Sequence, residues 1–260
     1  MKPGLNRARA EELLAAFEIG GTSVEPPSAR DPEFDMNAAY AVEAEFARLR
    51  VVSGRTLTGR KVGYANKAMW RVLKLETLVW AHMYDDTVRY ANEEFSLARC
   101  GSPKIEPEIV FKLKRPIVDA ASVLEAVEWM AIGFEIIDCP YPGWQFKPVD
   151  FVAGFGLHKG LIVGQPVHIE SASIPDLPAQ LASFKVRLLK NGELVDEGSG
   201  KNSLKSPALC LAELATATPL AAGEIISTGT LTTAQPIAAG EVWTVEAVGL
   251  SVPNLTLRLN

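Results

Sequence analysis

The chain has 260 residues, 48% hydrophobic and 22% charged, with a formal net charge of −5. That is an ordinary globular balance, and the length suffices for one large domain with a sizeable core. There is no long basic run to mark a nucleic-acid partner, and no stretch approaches the roughly 20 apolar residues that cross a bilayer. Cys100, Cys139 and Cys210 are scattered and odd in number, without zinc spacing or a disulfide framework, which points to reduced thiols in a cytoplasmic protein. Met1 to Phe17 is amphipathic and mixed in charge and lacks the apolar stretch of a signal peptide.

The spacing of Leu13, Leu14 and Phe17 predicts a helix over Asn6 to Phe17, followed by a Gly-, Pro- and Ser-rich loop to Asp31. A second helix starts near Asp35, a good N-cap, and ends at Ser53-Gly54. Arg60 to Tyr64 reads as a short strand and Lys104 to Leu113 as a longer one. Pro107 inside the latter argues for an edge or a bulge. Asp119 reads as the cap of a helix through Val123, Leu124, Val127 and Met130, stopped by Gly133, with Phe134 to Ile137 a buried strand. Pro148 to Ala153 is a short helix. Strands follow at Leu161 to Val163, Phe184 to Leu189 and Glu193 to Glu197, with Asn191-Gly192 as a hairpin turn. Ser206-Pro207 opens a helix, and Glu224 to Thr228, Val242 to Val248 and Leu255 to Leu259 are further strands. The sum is an α+β protein: an N-terminal helical region over 1–58 and a β-rich catalytic domain over 59–260 that together form one compact unit.

Within the apolar strand Ile105 to Leu113 stand Glu106 and Glu108. Side chains two apart on a strand point to one side, so the two carboxylates share a face. Two readings are open: a solvated strand edge, or like charges held together by a divalent cation, with oxygen ligands favouring Mg²⁺ or Mn²⁺. Glu135 and Asp138 form a second acidic pair in an apolar strand. Strand parity puts them on opposite faces, so only one of them meets a shared site. Asp138 alternatively caps the turn before Pro140.

Lys61 lies between Gly59 and Gly63, where backbone can approach a ligand closely, and Lys67 follows it in the chain. A lysine there could hold a substrate carboxylate or relay a proton; the bland alternative is a solvated lysine at a strand end. His158-Lys159, in a glycine-flanked loop, is a second acid/base pair. His82, close to Asp85-Asp86, reads as lid or loop, and His168 as structural. No serine-nucleophile elbow and no zinc motif is present.

Taken in order, Gly59-Arg60-Lys61-Val62-Gly63, Ile105-Glu106-Pro107-Glu108-Ile109, Phe134-Glu135-Ile136-Ile137-Asp138 and Asp150-Phe151-Val152-Ala153 resemble the fumarylacetoacetate hydrolase superfamily. Within it the resemblance is to the branch of 2-keto-4-pentenoate hydratases and 4-oxalocrotonate decarboxylases, and it runs from about Asp35 to the C-terminus. It implies a mixed β-sheet roll or barrel-like body and a Mg²⁺ or Mn²⁺ site held by Glu106, Glu108 and Glu135. It also implies a substrate contact at Lys61, an Asp85-Asp86 pair before a lid, and homo-oligomers. Lys67 (here after Asn66 where the family has Ser) and Asp138 then stand near substrate, Asp138 behind the ligands.

Two segments depart from that branch. Gly154 to Lys159 replaces a small polar pocket wall with bulky apolar and basic groups, and Gly200 to Pro207 is more basic than usual. The expected activity is hydration of a 2-hydroxy-2,4-dienoate-type substrate in aromatic-compound breakdown, through a metal-stabilised enolate of a 2-oxo acid. Lys61, His158 and Lys159 are the expected catalytic residues. A 4-oxalocrotonate-like decarboxylase, a C–C hydrolase and an inactive partner subunit remain open.

Overall fold

The computed structural model describes residues 3–21, 23–91 and 94–260. Two long helices open the chain, α1 (Pro3–Ile19) and α3 (Met36–Val52), with the short α2 (Pro27–Arg30) inside the expected loop. Asp35 caps α3 by accepting from the Ala38 amide at 2.8 Å. There follow β1 (Leu57–Gly63), α4 (Lys67–Leu73), β2 (Val79–Tyr84), β3 (Val88–Tyr90), β4 (Pro103–Leu113) and β5 (Val127–Asp138). Then come α5 (Pro148–Ala153), β6 (His158–Val163), β7 (Val167–His168), α6 (Leu177–Ser183), β8 (Lys185–Lys190) and β9 (Glu193–Ser199). The C-terminal part holds α7 (Pro207–Ala217), β10 (Ile225–Ser227), β11 (Gln235–Pro236), β12 (Val242–Val248) and β13 (Leu255–Arg258).

The strands form a mixed sheet in the order β2-β1-β10-β4-β5-β6-β3, with β11 beside β4 and β7 beside β5, and a separate antiparallel sheet β13-β12-β8-β9. Pairing is parallel in β1–β10 and β3–β6. The main core, with Phe111, Phe134, Phe184 and Trp243, draws side chains from both sheets and from α6 and α7. The N-terminal helices share a second core with β2, α5 and the 155–157 turn, where Phe46 of α3 stacks on Phe155 at 3.8 Å. The Asn191-Gly192 turn has positive φ at both positions, the geometry a two-residue hairpin requires.

Three expectations are corrected. The helix over 119–130 is a 3-10 turn at Ala120–Ala126 that Asp119 caps, and from Val127 the chain is already β5. Buried on both faces at the centre of the sheet, β5 has an apolar run too continuous for periodicity to tell from a helix. His82 is not in a loop but in β2, with Nδ1 2.8 Å from a Glu43 carboxylate oxygen. Pro107 marks neither an edge nor a bulge: β4 is central and its pairing with β5 is regular there. On the other side of β4 the neighbours are discontinuous, β10 facing Val110 to Lys112 and β11 facing Lys104 and Ile105. Pro107 sits in the gap between them, where no ladder bond needs its missing N–H, and its carbonyl accepts from the Leu231 amide.

Candidate metal centre

The register of β4 on β5 builds the acidic cluster. Glu106 lies opposite Glu135, and Glu108 lies opposite Gly133, one pleat further along. Cross-strand partners share a face, as do residues two apart on one strand. Glu106, Glu108 and Glu135 therefore converge, with one carboxylate oxygen from each within 4.8 Å of the others. Glu108 and Glu135 are fully buried and Glu106 is half-buried.

Each buried carboxylate is half satisfied. Glu108 Oε2 accepts from the Ser227 hydroxyl and, at 2.8 Å, from the Gly229 amide, while its Oε1 has no partner. Glu135 Oε1 lies 2.8 Å from His158 Nδ1. Its Oε2 is 3.1 Å from Lys61 Nζ, an ion-pair distance, yet lacks a partner with hydrogen-bond geometry. A buried carboxylate oxygen left without a partner costs about 1–3 kcal/mol or more. One such oxygen on Glu108, with Glu135 Oε2 facing only the Lys61 ammonium and a third carboxylate beside them, fits a hard divalent ion with oxygen ligands, Mg²⁺ or Mn²⁺.

The electrostatics agree with that fit. Burial, reinforced by Glu135, pushes the Glu106 carboxyl up to about 7 against the pull of Lys61. Burial, together with Glu135 and Glu106, pushes Glu108 well above the usual range. Glu135 is held low: burial opposes its charge, but Lys61 and His158 outweigh it. Burial likewise opposes the Lys61 ammonium, and Glu135, Glu106 and Glu108 overcome it, so Lys61 is raised and stays charged at neutral pH.

Lys61 enters from β1 and donates to the Gly156 carbonyl at 2.8 Å. That carbonyl is presented by a left-handed turn in which Phe155, Gly156 and Leu157 all have positive φ. A Cβ on Gly156 would stand 2.6 Å from Lys61 Cδ, so the lysine stem needs glycine there. The glycines flanking Lys61 serve packing: a Cβ on Gly59 would meet the Ile225 carbonyl at 1.8 Å, and one on Gly63 the Phe151 ring at 2.4 Å.

His158 reaches Glu135 because of a bulge. On β5, Ile136 and Ile137 are adjacent, but their partners on β6 are Gly160 and His158, leaving Lys159 as the extra residue. Regular pairing would set Lys159 opposite Ile137. The bulge turns His158 to the face of Glu135 and Lys159 away from it. Thr87 holds the other ring nitrogen, its hydroxyl 3.0 Å from Nε2.

Above the carboxylates opens a cavity of about 870 Å³. Lys61, Glu106, Glu108, Lys67, Leu157, Lys201, Lys205 and Thr230 are among the residues that line it. Lys67 also pairs with Glu213 at 3.8 Å. Other sequence candidates stand apart from it. Lys159 Nζ donates to the Phe17 carbonyl on α1. Asp86 pairs with Arg50 and Arg55, and Asp85 is exposed in the β2–β3 turn. Asp138 accepts from the Gly101 and Ser102 amides, the role of a turn residue. Of the divergent 154–159 segment only Leu157 faces the cavity. Sequence reasoning missed Ser227, Gly229, Gly156 and Thr87, which are brought in by β10, the turn after it, the 155–157 turn and the β2–β3 turn, with no motif to announce them.

Residues 63–257 match the family described as fumarylacetoacetate (FAA) hydrolase, C-terminal. The chain is 30% identical over 234 residues to a 2-hydroxyhexa-2,4-dienoate hydratase of Comamonas testosteroni, covering 86% of each. It is 29% identical over 238 residues to 2-keto-4-pentenoate hydratase 1 of Dechloromonas aromatica (strain RCB), covering 87% of this chain and 88% of that one. Its fold is that of the 4-oxalocrotonate decarboxylase from Pseudomonas putida G7 complexed with magnesium and adipate. The TM-score is 0.90 at 24% identity, over 100% of this chain and 99% of that one. With the matched segment running from the end of β1 into β13, the chain belongs to the fumarylacetoacetate hydrolase C-terminal family.

Proposed function

We propose that this protein is a divalent-metal-dependent hydro-lyase acting on a 2-oxo acid through its enolate, adding water to a 2-hydroxy-2,4-dienoate-type substrate. The observation that carries this is the convergence of Glu106, Glu108 and Glu135 beneath a cavity, with Glu108 Oε1 buried without a partner and Glu135 Oε2 facing only the Lys61 ammonium. The relatives named as dienoate and pentenoate hydratases support the reaction type. Bound by these carboxylates, a Mg²⁺ or Mn²⁺ ion supplies Lewis-acid polarisation of a carbonyl oxygen. Lys61 places its amino group beside the same space, where as an ammonium it would stabilise negative charge that develops there. His158 is buried, does not line the cavity and fixes Glu135 by hydrogen bonding, which suits a positioning residue.

One observation favours a second reading. Lys201 and Lys205 line the cavity, and neither makes a side-chain hydrogen bond or ion pair among the described residues. Their loop is pinned: Asn202 Nδ2 donates to the Leu231 carbonyl and the Leu204 amide to the Ala65 carbonyl, both at 2.7 Å. Two free ammonium groups on a fixed wall suit a substrate with a second carboxylate, which favours decarboxylation of a 4-oxalocrotonate-like diacid.

A panel of mono- and dicarboxylic 2-oxo acids with Mg²⁺, followed by loss of ultraviolet absorbance and by CO₂ release, separates the two. Hydration of a dienoate without CO₂ supports the first and CO₂ release the second. Full turnover in EDTA would sink both, and absence of Mg²⁺ and Mn²⁺ binding by calorimetry would leave an inactive partner subunit. The proposal includes a homo-oligomer in the cytoplasm. Exposed Leu194 and Val195 on the edge strand β9 support self-association, and the three free thiols a reducing compartment. Light scattering that returns a monomer would remove the first of these. No helix among the described residues is long and apolar enough to cross a membrane.

A further inference from the structure

The bulge that brings His158 to Glu135 turns Lys159 to the other side of β6, into a second depression of about 260 Å³ that shares no lining residue with the carboxylate cavity. Four cations meet there, Arg50, Arg55, Arg99 and Lys159, against two carboxylates, Glu18 and Asp86. Asp86 is already shared, pairing with both Arg50 and Arg55. Arg50 is only 3% exposed, and its Nε, buried, has no partner. Lys159 Nζ has a backbone carbonyl, of Phe17, as its hydrogen-bond partner, and Arg99 makes no side-chain hydrogen bond or ion pair among the described residues. Burial holds the Lys159 ammonium below its usual range, opposed by Cys100 and Asp138 and helped by Arg99 and Arg50.

Arg50 lies over the Phe17 and Tyr84 rings and Lys159 over that of Phe17, but Glu18 and Asp86 still leave two positive charges in excess on the lining. Guanidinium forks match the oxygens of phosphate and carboxylate, and a lysine supplies a point charge beside them. The depression is smaller than the roughly 300 Å³ at which drug-sized sites begin, so its occupant is small. We infer that this pocket, formed by α3, the β2–β3 turn, Arg99 and the bulge of β6, is a binding site for a small oxyanion, a phosphate or carboxylate group. The anion would pair with Arg99 and Lys159, beside the Arg50 and Arg55 guanidinium groups. It would also lie against Thr87, whose hydroxyl holds His158 and, through it, Glu135. The site stands independently of the reaction proposed for the carboxylate cavity.

The test is calorimetric titration of the full chain with inorganic phosphate in EDTA, against sodium chloride at matched ionic strength. One saturable site is expected. Arg55→Ala with Arg99→Ala, both exposed side chains, should weaken it at least tenfold while the thermal midpoint without phosphate stays put. Lys201→Ala with Lys205→Ala, in the other cavity, should leave it unchanged. Phosphate heats no larger than those of chloride, or loss of binding in the Lys201 and Lys205 variant instead, would overturn the inference.

Discussion

Glu108 carries the sharpest consequence at the scale of one residue. In the metal-free protein burial, with Glu135 and Glu106 beside it, pushes its carboxyl well above the usual range, which favours the neutral form that a glutamine copies. Glu108→Gln should therefore leave metal-free stability within about 1 kcal/mol of the parent, because Ser227 and Gly229 can still bond the remaining oxygen. The same change should abolish the rise in thermal midpoint expected on adding Mg²⁺. Retained Mg²⁺ stabilisation would remove Glu108 from the ligand set. Glu106 adds a pH dependence. With its carboxyl at about 7, an ion entering the cluster below that pH must displace its proton. Metal affinity should fall as pH drops through about 7, by about tenfold per unit for each proton displaced. Calorimetry in buffers of different ionisation heat reads both the affinity and the protons released, and a pH-independent affinity between 6 and 8 would contradict it. The shared face of Glu106 and Glu108 was legible in the sequence, since it needs only the period of a strand. The arrival of Glu135 beside them was not: it depends on the β4–β5 register, which the family resemblance supplied and residue patterns did not.

At the scale of the element, two irregularities aim side chains that regular structure would misdirect. The β6 bulge exchanges Lys159 for His158 on the face of Glu135, and nothing in Gly154-Phe155-Gly156-Leu157-His158-Lys159-Gly160 says which of the two will point inward. His158→Ala leaves Glu135 with Lys61 as its one charged neighbour in contact, and loss of such an orienting hydrogen bond typically weakens metal binding by about 10–100-fold. His158→Asn, which can still donate, should recover part of that loss, whereas equal loss in both variants would mean that packing is what matters. The left-handed turn before β6 is the second device. Gly156→Ala would place a methyl against the Lys61 stem at positive φ, adding about 1–2 kcal/mol of backbone cost and about 1–3 kcal/mol of overpacking. Stability by denaturant titration should fall by that order, and turnover should fall further as Lys61 is displaced. The misassigned 119–130 segment teaches the converse: a central strand buried on both faces carries no period, so β5, the strand that bears Glu135, is where the sequence was hardest to read.

Across the whole molecule, the acidic cluster is a local instability that the surrounding core has to carry. The core is extensive, joining both sheets through Phe111, Phe134 and Trp243, while the N-terminal helices close a second cluster against β2 and α5. The α+β character and the order of most elements follow from periodicity and caps. The sheet order does not, because β10 and β11 reach β4 from more than a hundred residues away in sequence. That carried instability predicts a pH profile. The Glu106 carboxyl titrates at about 7 in the folded protein against a usual 4.5. Between those values the folded chain holds a proton that the unfolded chain has released, so metal-free stability falls as pH rises from about 4.5 to 7, by on the order of 3 kcal/mol. Glu108 acts in the same sense. Glu135, held low, contributes stability that is lost only as pH falls below about 4.5, and Lys61, held high, only as pH rises above 10.5, so neither masks the window. Mg²⁺ held by these carboxylates would reverse the trend where they are ionised: at a hundred times its dissociation constant it would add about 2.7 kcal/mol. For a chain of this size that is a rise in melting temperature of about 5–10 °C. Melting curves in EDTA and in one fixed Mg²⁺ concentration at pH 5.5 and pH 8 should therefore show a large metal effect at pH 8 and a small one at pH 5.5. Equal effects at both pH values would mean that the ion does not displace protons from this cluster, and the reading of Glu106 and Glu108 as its ligands would fall with them.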